Sequence, residues 1–382
     1  MKKETSILIP FLMLCIVALI SGLWAGLLRL GWAIPSFTAA LPMQHGPLMI
    51  SGFLGTLIIL ERVAALRQRW MFAAPLLSSA GWILSLAIPG HLIGPLLITL
   101  ASLVGTAVLG VIVRREAKIY TAVMAVGAAC WLGGNLLWIL GNPIPLVVWW
   151  WAAFLVLTIT GERLELNRVI RLTSRHYLTF TISAAIFLLG AVLYTLQPEI
   201  GARTAGIGML MLSAWLIRFD IARRNLRHPA ALTRFIAFCL FSGYLWLGMS
   251  GIFNLLFGAQ YAGPIYDAVL HSVFIGFVFS MIFGHAPIIL PALTRINVPF
   301  HPGFYLPLIL LHASLILRIV SDLAFQPSGR LWGGIINEIA IVAYFGLVVT
   351  SVIRQRAGRP VSEKPQISRT EAGRDASSGA NG

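Results

Sequence analysis

The chain has 382 residues, of which 58% are hydrophobic and only 11% are charged, and its mean hydropathy is +0.87. Soluble globular domains carry far more charge than this, so the composition indicates a membrane protein that crosses the bilayer many times. The net charge of +15 does not indicate nucleic-acid binding, because the Lys and Arg residues lie in short loops between apolar stretches.

The first apolar stretch, residues 6–28, follows Lys2 and Lys3 and is too long for the apolar region of a cleavable signal peptide. A transmembrane helix needs about twenty apolar residues. Further stretches of this kind follow, separated by Gly and Pro residues: 46–66, 71–89, 92–113, 119–140, 144–161, 177–196, 201–219, 233–257, 265–290, 303–323 and 333–353. The sequence therefore predicts an all-α membrane protein with about twelve transmembrane helices.

The domain organisation follows from the same pattern. Residues 1–358 form one polytopic transmembrane domain, and we find no internal repeat of fixed period in it. Residues 359–382 are rich in Ser, Glu, Lys and Gly and nearly free of apolar residues. Such a composition cannot bury enough apolar surface to fold, so we expect a disordered tail.

Positive charge alternates between the loops. The basic loops carry Arg67 and Arg69, then Arg114, Arg115 and Lys118, then Arg163, Arg168, Arg171 and Arg175, then Arg223, Arg224 and Arg227, then Arg295, and finally Arg354 and Arg356. The intervening loops hold only Arg29, Arg203 and Arg330. Cytoplasmic loops carry the excess of Lys and Arg, so we expect both termini in the cytoplasm.

Four histidines lie within or at the ends of apolar stretches: His45, His271, His285 and His312. Ionisable groups inside a membrane are costly and default to a functional hypothesis. His271 and His285 belong to one predicted helix, where their separation corresponds to about 21 Å of depth, so they cannot serve one metal ion. His45 and His271 lie in the same half of the membrane on different helices. These two imidazoles are therefore candidates for the axial pair of a haem.

Each histidine also has a structural alternative. His45 could cap the interfacial end of its helix, and His271 could hydrogen-bond to a serine or to the backbone of a neighbouring helix. For His285 and His312 the structural role is the preferred interpretation. The candidate metal ligands are thus His45, His271 and His285, with His312 as a second-sphere or alternative haem ligand.

Several other polar residues have candidate roles. Asp267 lies four residues before His271, on the same helix face, and could orient that imidazole. Arg318 and Asp322 have the same spacing and are expected to pair, with a haem propionate as the alternative partner of Arg318. Glu338 is an isolated carboxyl group within the last predicted span. The Glu-Arg pairs 61–62 and 162–163 end two helices and are expected to anchor them.

Two motifs carry a resemblance to known families. The segment His45-Gly46-Pro47-Leu48-Met49-Ile50 on the second span resembles the helix-two haem segment of haem–copper oxidase catalytic subunits. His271 lies on the tenth span, and the run Leu270–Phe277 through Met281–Ala286 resembles a late helix of the NnrS family.

These resemblances imply an integral membrane haem protein of the bacterial inner membrane, built as a bundle like oxidase subunit I. They also imply a link to nitric oxide or respiratory stress, with His45, His271, His312 and Arg318 as the cofactor-binding residues. The implied partners are membrane lipids, a small gas ligand and an electron donor.

The chain also departs from the oxidase pattern. It has no His-His pair, and the fourth residue after His271 is Ile275 rather than a tyrosine. Apolar side chains such as that of Ile275 have no atom that can bind copper. The Trp-His-Ala-His-Glu-like segment associated with NnrS is absent too. We therefore expect no copper, no oxidase-type dinuclear centre and no oxygen-driven proton pumping; whether the chain is an enzyme at all stays open.

Two further classes of function remain possible. One is a secondary transporter of twelve helices without a cofactor, and the other is a membrane scaffold or chaperone. Transporters of this size tend to show internal repeats with broken helices at matching positions, and this sequence shows no such symmetry.

Overall fold

The computed structural model describes residues 2–357, with side chains described for residues 8–355. This part of the chain is all-helical and contains no β-strand. The predicted tail, residues 359–382, lies outside the described residues.

Twelve helices in the described part are long and apolar enough to cross a membrane, as predicted. They are α1 (Leu8–Leu30), α2 (Leu41–Leu66), α3 (Arg69–Ala87), α4 (Ile93–Arg115), α5 (Ile119–Ile139), α6 (Ile144–Val169), α7 (Ser174–Leu196), α8 (Pro198–Phe219), α9 (Ala231–Phe257), α10 (Gly263–Thr294), α11 (Pro302–Leu323) and α12 (Pro327–Gln355). The helix of α1 itself begins at Lys2, and that of α12 ends at Ala357.

The helices pack mainly as antiparallel neighbours, and α6 is the most enclosed of them. Helices that follow one another in the chain pack most extensively, in the pairs α3–α4, α5–α6, α7–α8 and α11–α12. In α6, 78% of the apolar window is buried, compared with 28% in α12. Helix α1 contacts α2, α3, α10 and α12, so the N-terminal helix closes the bundle against the C-terminal ones.

The chain's alternating direction defines two ends of the bundle. At one end of the bundle the odd-numbered helices finish and the even-numbered helices start. We call this the cavity end. The opposite end holds the basic loops and is called the arginine end. Gly141 takes a positive φ of 85° in the tight connection between α5 and α6 at the cavity end, a conformation that favours glycine.

Candidate ligand-binding cavity

A cavity of about 590 Å³ lies at the cavity end, among α1, α2, α6, α10, α11 and α12. Its size falls in the range of roughly 300–1,000 Å³ that is typical of small-molecule sites. Most of its lining is aliphatic or aromatic. The charged and amide side chains in the lining are Arg29, His45, Asn142, Asp267, His271, Arg318, Arg330, Asn337 and Glu338. The structure thus brings His45, His271 and Arg318 to one cavity.

His45, near the start of α2, is fixed against α1. Its Nδ1 lies 2.7 Å from the carbonyl oxygen of Gly22. A carbonyl can only accept, so Nδ1 carries the proton and Nε2 keeps its lone pair. A Cβ on Gly26 would lie 3.0 Å from Cε1 of His45, so the absence of a side chain there allows the imidazole to approach α1.

His271, on α10, is held at both ring nitrogens. Its Nδ1 lies 2.9 Å from the carbonyl oxygen of Asp267 and 3.2 Å from Oδ1 of the same residue. Its Nε2 lies 3.4 Å from Nη2 of Arg318. A guanidinium has no acceptor, so Arg318 donates and Nε2 accepts. The orienting role expected for Asp267 is consistent with this geometry.

Asp267 and Arg318 form a bidentate ion pair between α10 and α11. Nε of Arg318 lies 2.6 Å from Oδ2, and Nη2 lies 2.7 Å from Oδ1. The predicted pairing of Arg318 with Asp322 is therefore wrong, because α10 packs against α11 and offers a carboxylate in better geometry. Asp322 instead pairs with Arg330, with 3.8 Å between Nε and Oδ1.

Each cavity histidine lies just before a π-helical segment: His271 directly precedes one, and His45 precedes the other with Gly46 and Pro47 between. Residues Leu48–Gly55 of α2 and Ser272–Phe279 of α10 are π-helices inside otherwise α-helical spans. The two segments touch through Phe53 and Phe279, whose rings are stacked with centroids 6.2 Å apart. Such π-bulges occur frequently at functional sites, because the extra residue redirects nearby side chains.

Hydroxyl and indole groups support the π-segment of α2. The carbonyl of Ser51 accepts hydrogen bonds from Thr56 Oγ1 and Ser78 Oγ, each at 2.9 Å. The Ser51 hydroxyl accepts one from Trp131 Nε1 at 3.0 Å. A π-helix disturbs the regular backbone ladder, and backbone groups inside a membrane must find partners within the protein. These side chains supply them.

Two neighbours on α12 complete the polar wall. A Cβ on Gly26 would lie 3.3 Å from Oε1 of Glu338, so this carboxyl group and the His45 imidazole cover the same part of α1. Asn337 donates to the Leu311 carbonyl at 3.1 Å and to Ser314 Oγ at 2.6 Å. Its buried Oδ1 has no hydrogen-bond partner within the described residues.

His312 and His285 do not line this cavity. His312 Nδ1 accepts a hydrogen bond of 3.0 Å from Trp246 Nε1, while its buried Nε2 has no partner in the described part of the chain. His285 Nδ1 lies 2.7 Å from the Met281 carbonyl, in the half of α10 nearer the arginine end. The structure therefore separates both histidines from His45 and His271.

The arginine end is closed by polar contacts between helices. Arg62 pairs with Glu162 between α2 and α6. Arg163 makes a bidentate pair with Asp220, at 3.0 Å from Nε to Oδ2 and 2.8 Å from Nη2 to Oδ1. Asn167 also donates to this aspartate, at 3.1 Å. The anchoring role expected for the Glu-Arg pairs agrees with these contacts.

No cluster of three or more His, Cys, Asp and Glu residues within residues 8–355 has the arrangement of a metal site. A haem needs only two protein ligands, one imidazole on each side of the iron. The absence of a larger cluster within residues 8–355 therefore does not test haem binding.

The fold and cavity define a multi-pass membrane protein with a buried polar site. Residues 8–353 match the model of a family described as a domain of unknown function (DUF8744), and the chain belongs to this family. No curated protein and no solved structure matches the chain.

Proposed function

We propose that the protein is an integral membrane haem-binding protein of the bacterial inner membrane, NnrS-like and linked to nitric oxide or respiratory stress. His45 and His271 would hold the haem. The observation that carries the proposal is that both imidazoles, from α2 and α10, line one cavity. In each, Nδ1 faces a backbone carbonyl, so the lone pair is on Nε2. At His45 no hydrogen bond among the described residues engages that lone pair, whereas at His271 a haem would have to displace the 3.4 Å contact with Arg318.

The remaining lining suits a haem in its chemistry. Aromatic and aliphatic side chains such as Phe274, Phe279 and Leu54 line the cavity and could enclose the macrocycle. Arg29 and Arg330 are cations that could pair with the propionates. Arg318 is already paired bidentately with Asp267. A bound haem would supply binding of a small gas ligand and one-electron transfer from a donor.

An optical spectrum of the purified protein tests the proposal. We expect a Soret band in the wild type and its loss in His45→Ala, with haem quantified by extraction. His312→Ala is the matched control, because it removes a membrane histidine that lies outside the cavity. A colourless wild-type protein, expressed with haem available, would refute the proposal.

A secondary transporter without a cofactor is the second candidate, and one observation favours it. The cavity lies at one end of the bundle, whereas the other end is closed by the Arg163–Asp220 and Arg62–Glu162 pairs. A site open towards one side only is what alternating access requires. Solute uptake into vesicles by a colourless protein would support this candidate over the haem protein.

The orientation is part of the same proposal. The basic loops support a cytoplasmic arginine end; both termini would then lie in the cytoplasm, and the cavity would lie towards the outer side. A reporter fused after Arg359 should be active only in the cytoplasm. A second fusion after Asn142, in the loop between α5 and α6, should report the opposite side. Reversal of the two signals would contradict the orientation.

A further inference from the structure

The charges that line the cavity fall into paired and unpaired groups. Two arginines each have an aspartate beside them: Arg318 with Asp267, and Arg330 with Asp322. Arg29 on α1 and Glu338 on α12 also line the cavity, and neither takes part in a hydrogen bond or an ion pair among residues 8–355. The described part of the cavity therefore holds one cation and one acid that are left for a ligand.

Glu338 and His45 meet over Gly26 of α1. A Cβ on Gly26 would lie 3.3 Å from Oε1 of Glu338 and 3.1 Å from Nδ1 of His45. The Nδ1 proton of His45 is donated to the Gly22 carbonyl, and no hydrogen bond among the described residues engages Nε2. A carboxylate and an imidazole lone pair, both of which accept hydrogen bonds, therefore lie side by side. We call these two groups the acceptor pair.

Two guanidinium groups lie about one helical turn nearer the cavity end of the bundle. Arg29 follows Gly26 by three residues on α1, a rise of about 4.5 Å. Nη1 of Arg318 would lie 3.7 Å from a Cβ on Gly334, four residues before Glu338 on α12. The ion pair of Arg318 uses Nε and Nη2, and no hydrogen bond among the described residues engages Nη1. We call Arg29 and Nη1 of Arg318 the donor pair.

The two pairs together match the two ends of a zwitterion. An ammonium group only donates hydrogen bonds, and a carboxylate only accepts them. In an α-amino acid both groups are attached to one carbon atom, so their charges lie a few ångströms apart, comparable with the offset between the pairs. A carboxylate inside a membrane needs a cation beside it, and a bound ammonium group would supply that cation to Glu338.

The remaining lining selects the side chain of such a ligand. Apolar residues such as Ile50, Leu54 and Phe274 line the cavity. A charged ligand side chain would bury a further charge for which no unpaired partner is left. The cavity volume of about 590 Å³ leaves ample room for an aliphatic or aromatic side chain.

We infer that the cavity binds an apolar α-amino acid, with its ammonium group on the acceptor pair and its carboxylate on the donor pair. The inference rests on the transporter candidate and names its substrate class. A haem between His45 and His271 would fill the same space, so the two occupants exclude each other.

Three probes of similar shape test the inference by equilibrium binding to the purified protein in lipid nanodiscs. They are L-leucine, isocaproate, which lacks the ammonium group, and isoamylamine, which lacks the carboxylate. We expect L-leucine to bind at least about tenfold more tightly than either analogue, because one hydrogen bond to a charged group is worth about this factor. Equal affinity for all three probes, or no binding of L-leucine, would overturn the inference.

Glu338→Gln distinguishes recognition from a structural role. The variant lacks the charge that holds the ammonium group, so the affinity for L-leucine should fall by about tenfold while that for isocaproate stays unchanged. Glu199→Gln is the matched control, because Glu199 is an exposed carboxylate at the same end of the bundle, outside the cavity. A parallel loss for both probes in Glu338→Gln would contradict the assignment.

Arg29→Gln is the complementary variant. Arg29 is exposed at the end of α1, so this variant keeps the test decisive if Glu338→Gln fails to fold. We expect the affinity for L-leucine to fall by about tenfold and that for isoamylamine to stay unchanged. Arg203→Gln, an exposed arginine of α8 outside the cavity, is the matched control. An unchanged affinity for L-leucine in Arg29→Gln would remove Arg29 from the site and overturn the donor pair.

Uptake of L-leucine into proteoliposomes separates the inference from the transporter itself. Binding with the expected order of probes but without uptake would refute transport and support the ligand class. Uptake of another solute by a protein that does not bind L-leucine would overturn the ligand class and keep the transporter. A wild-type protein that contains haem and does not bind L-leucine would overturn the inference in favour of the haem protein.

Discussion

The protein uses the same buried pair, an arginine bonded bidentately to an aspartate, in two different ways. At the arginine end, Arg163 and Asp220 are 4% and 0% exposed at their side chains, and Asn167 gives the carboxylate a further bond. At the cavity end, Asp267 is 16% exposed beside Arg318, and the guanidinium also reaches His271. One pair is a closed structural link, whereas the other is part of the wall of a site.

The largest effect should come from removing the closed pair's acid. Asp220→Ala leaves Arg163 charged and without its partner in a dry interior, and we expect a loss of about 3–5 kcal/mol in the free energy of unfolding. Denaturant titration in detergent micelles would measure it. As a control, replacing both residues with apolar ones (Arg163→Met, Asp220→Leu) should recover much of the loss. A cost below about 1 kcal/mol for the single variant would show that this end is hydrated.

The equivalent change at the cavity should cost less. Asp267→Ala leaves Arg318 beside a cavity that water can enter, so we expect about 1–3 kcal/mol, the usual cost of an unsatisfied partner. The same titration measures it, alongside Asp220→Ala. If the two aspartate variants are equally destabilising, the contrast between a closed pair and a cavity wall is wrong.

The smallest effects should come from the two supporting asparagines. Asn167→Ala removes a bond to Asp220 and the bond accepted from the Ile221 amide at 2.9 Å, so we expect about 1–2 kcal/mol. Asn337→Ala, at the cavity, should cost about 0.5–1 kcal/mol, the range of interhelical hydrogen bonds in membranes. The reverse order would indicate that Asn337 is the stronger structural element.

The helices were predictable from the sequence because length and apolarity alone decide whether a segment can span a bilayer. All twelve predicted stretches correspond to helices, although some ends differ. The largest shift is at α6, which continues to Val169 rather than 161, and the next is at α12, which begins at Pro327 rather than 333. Helix ends depend on local capping, which apolar patterning does not encode.

The site was only partly predictable. The position of His45 and His271 in the same half of the membrane follows from counting residues along helices, and Asp267 was found from its spacing to His271. The partner of Arg318 was missed, because spacing along one helix favours Asp322 and says nothing about which helix packs alongside. His312 was expected near the haem, but the packing of α11 against α9 places it on Trp246.

The π-segments have a consequence for insertions and deletions in this family. A π-bulge contains one residue more than the α-helix it interrupts. Deleting a single residue within Leu48–Gly55 would allow regular α-helix to form while the flanking turns keep nearly their present orientation, because the bulge holds its extra residue in one wider turn. A single deletion in the regular helix that follows, Thr56–Leu66, would instead rotate the preceding turns by about 100° relative to the rest of α2 and turn His45 away from the cavity. Single-residue alignment gaps within Leu48–Gly55 or Ser272–Phe279 are therefore compatible with a kept site, whereas gaps in the regular helix after each segment would mark relatives that have lost it.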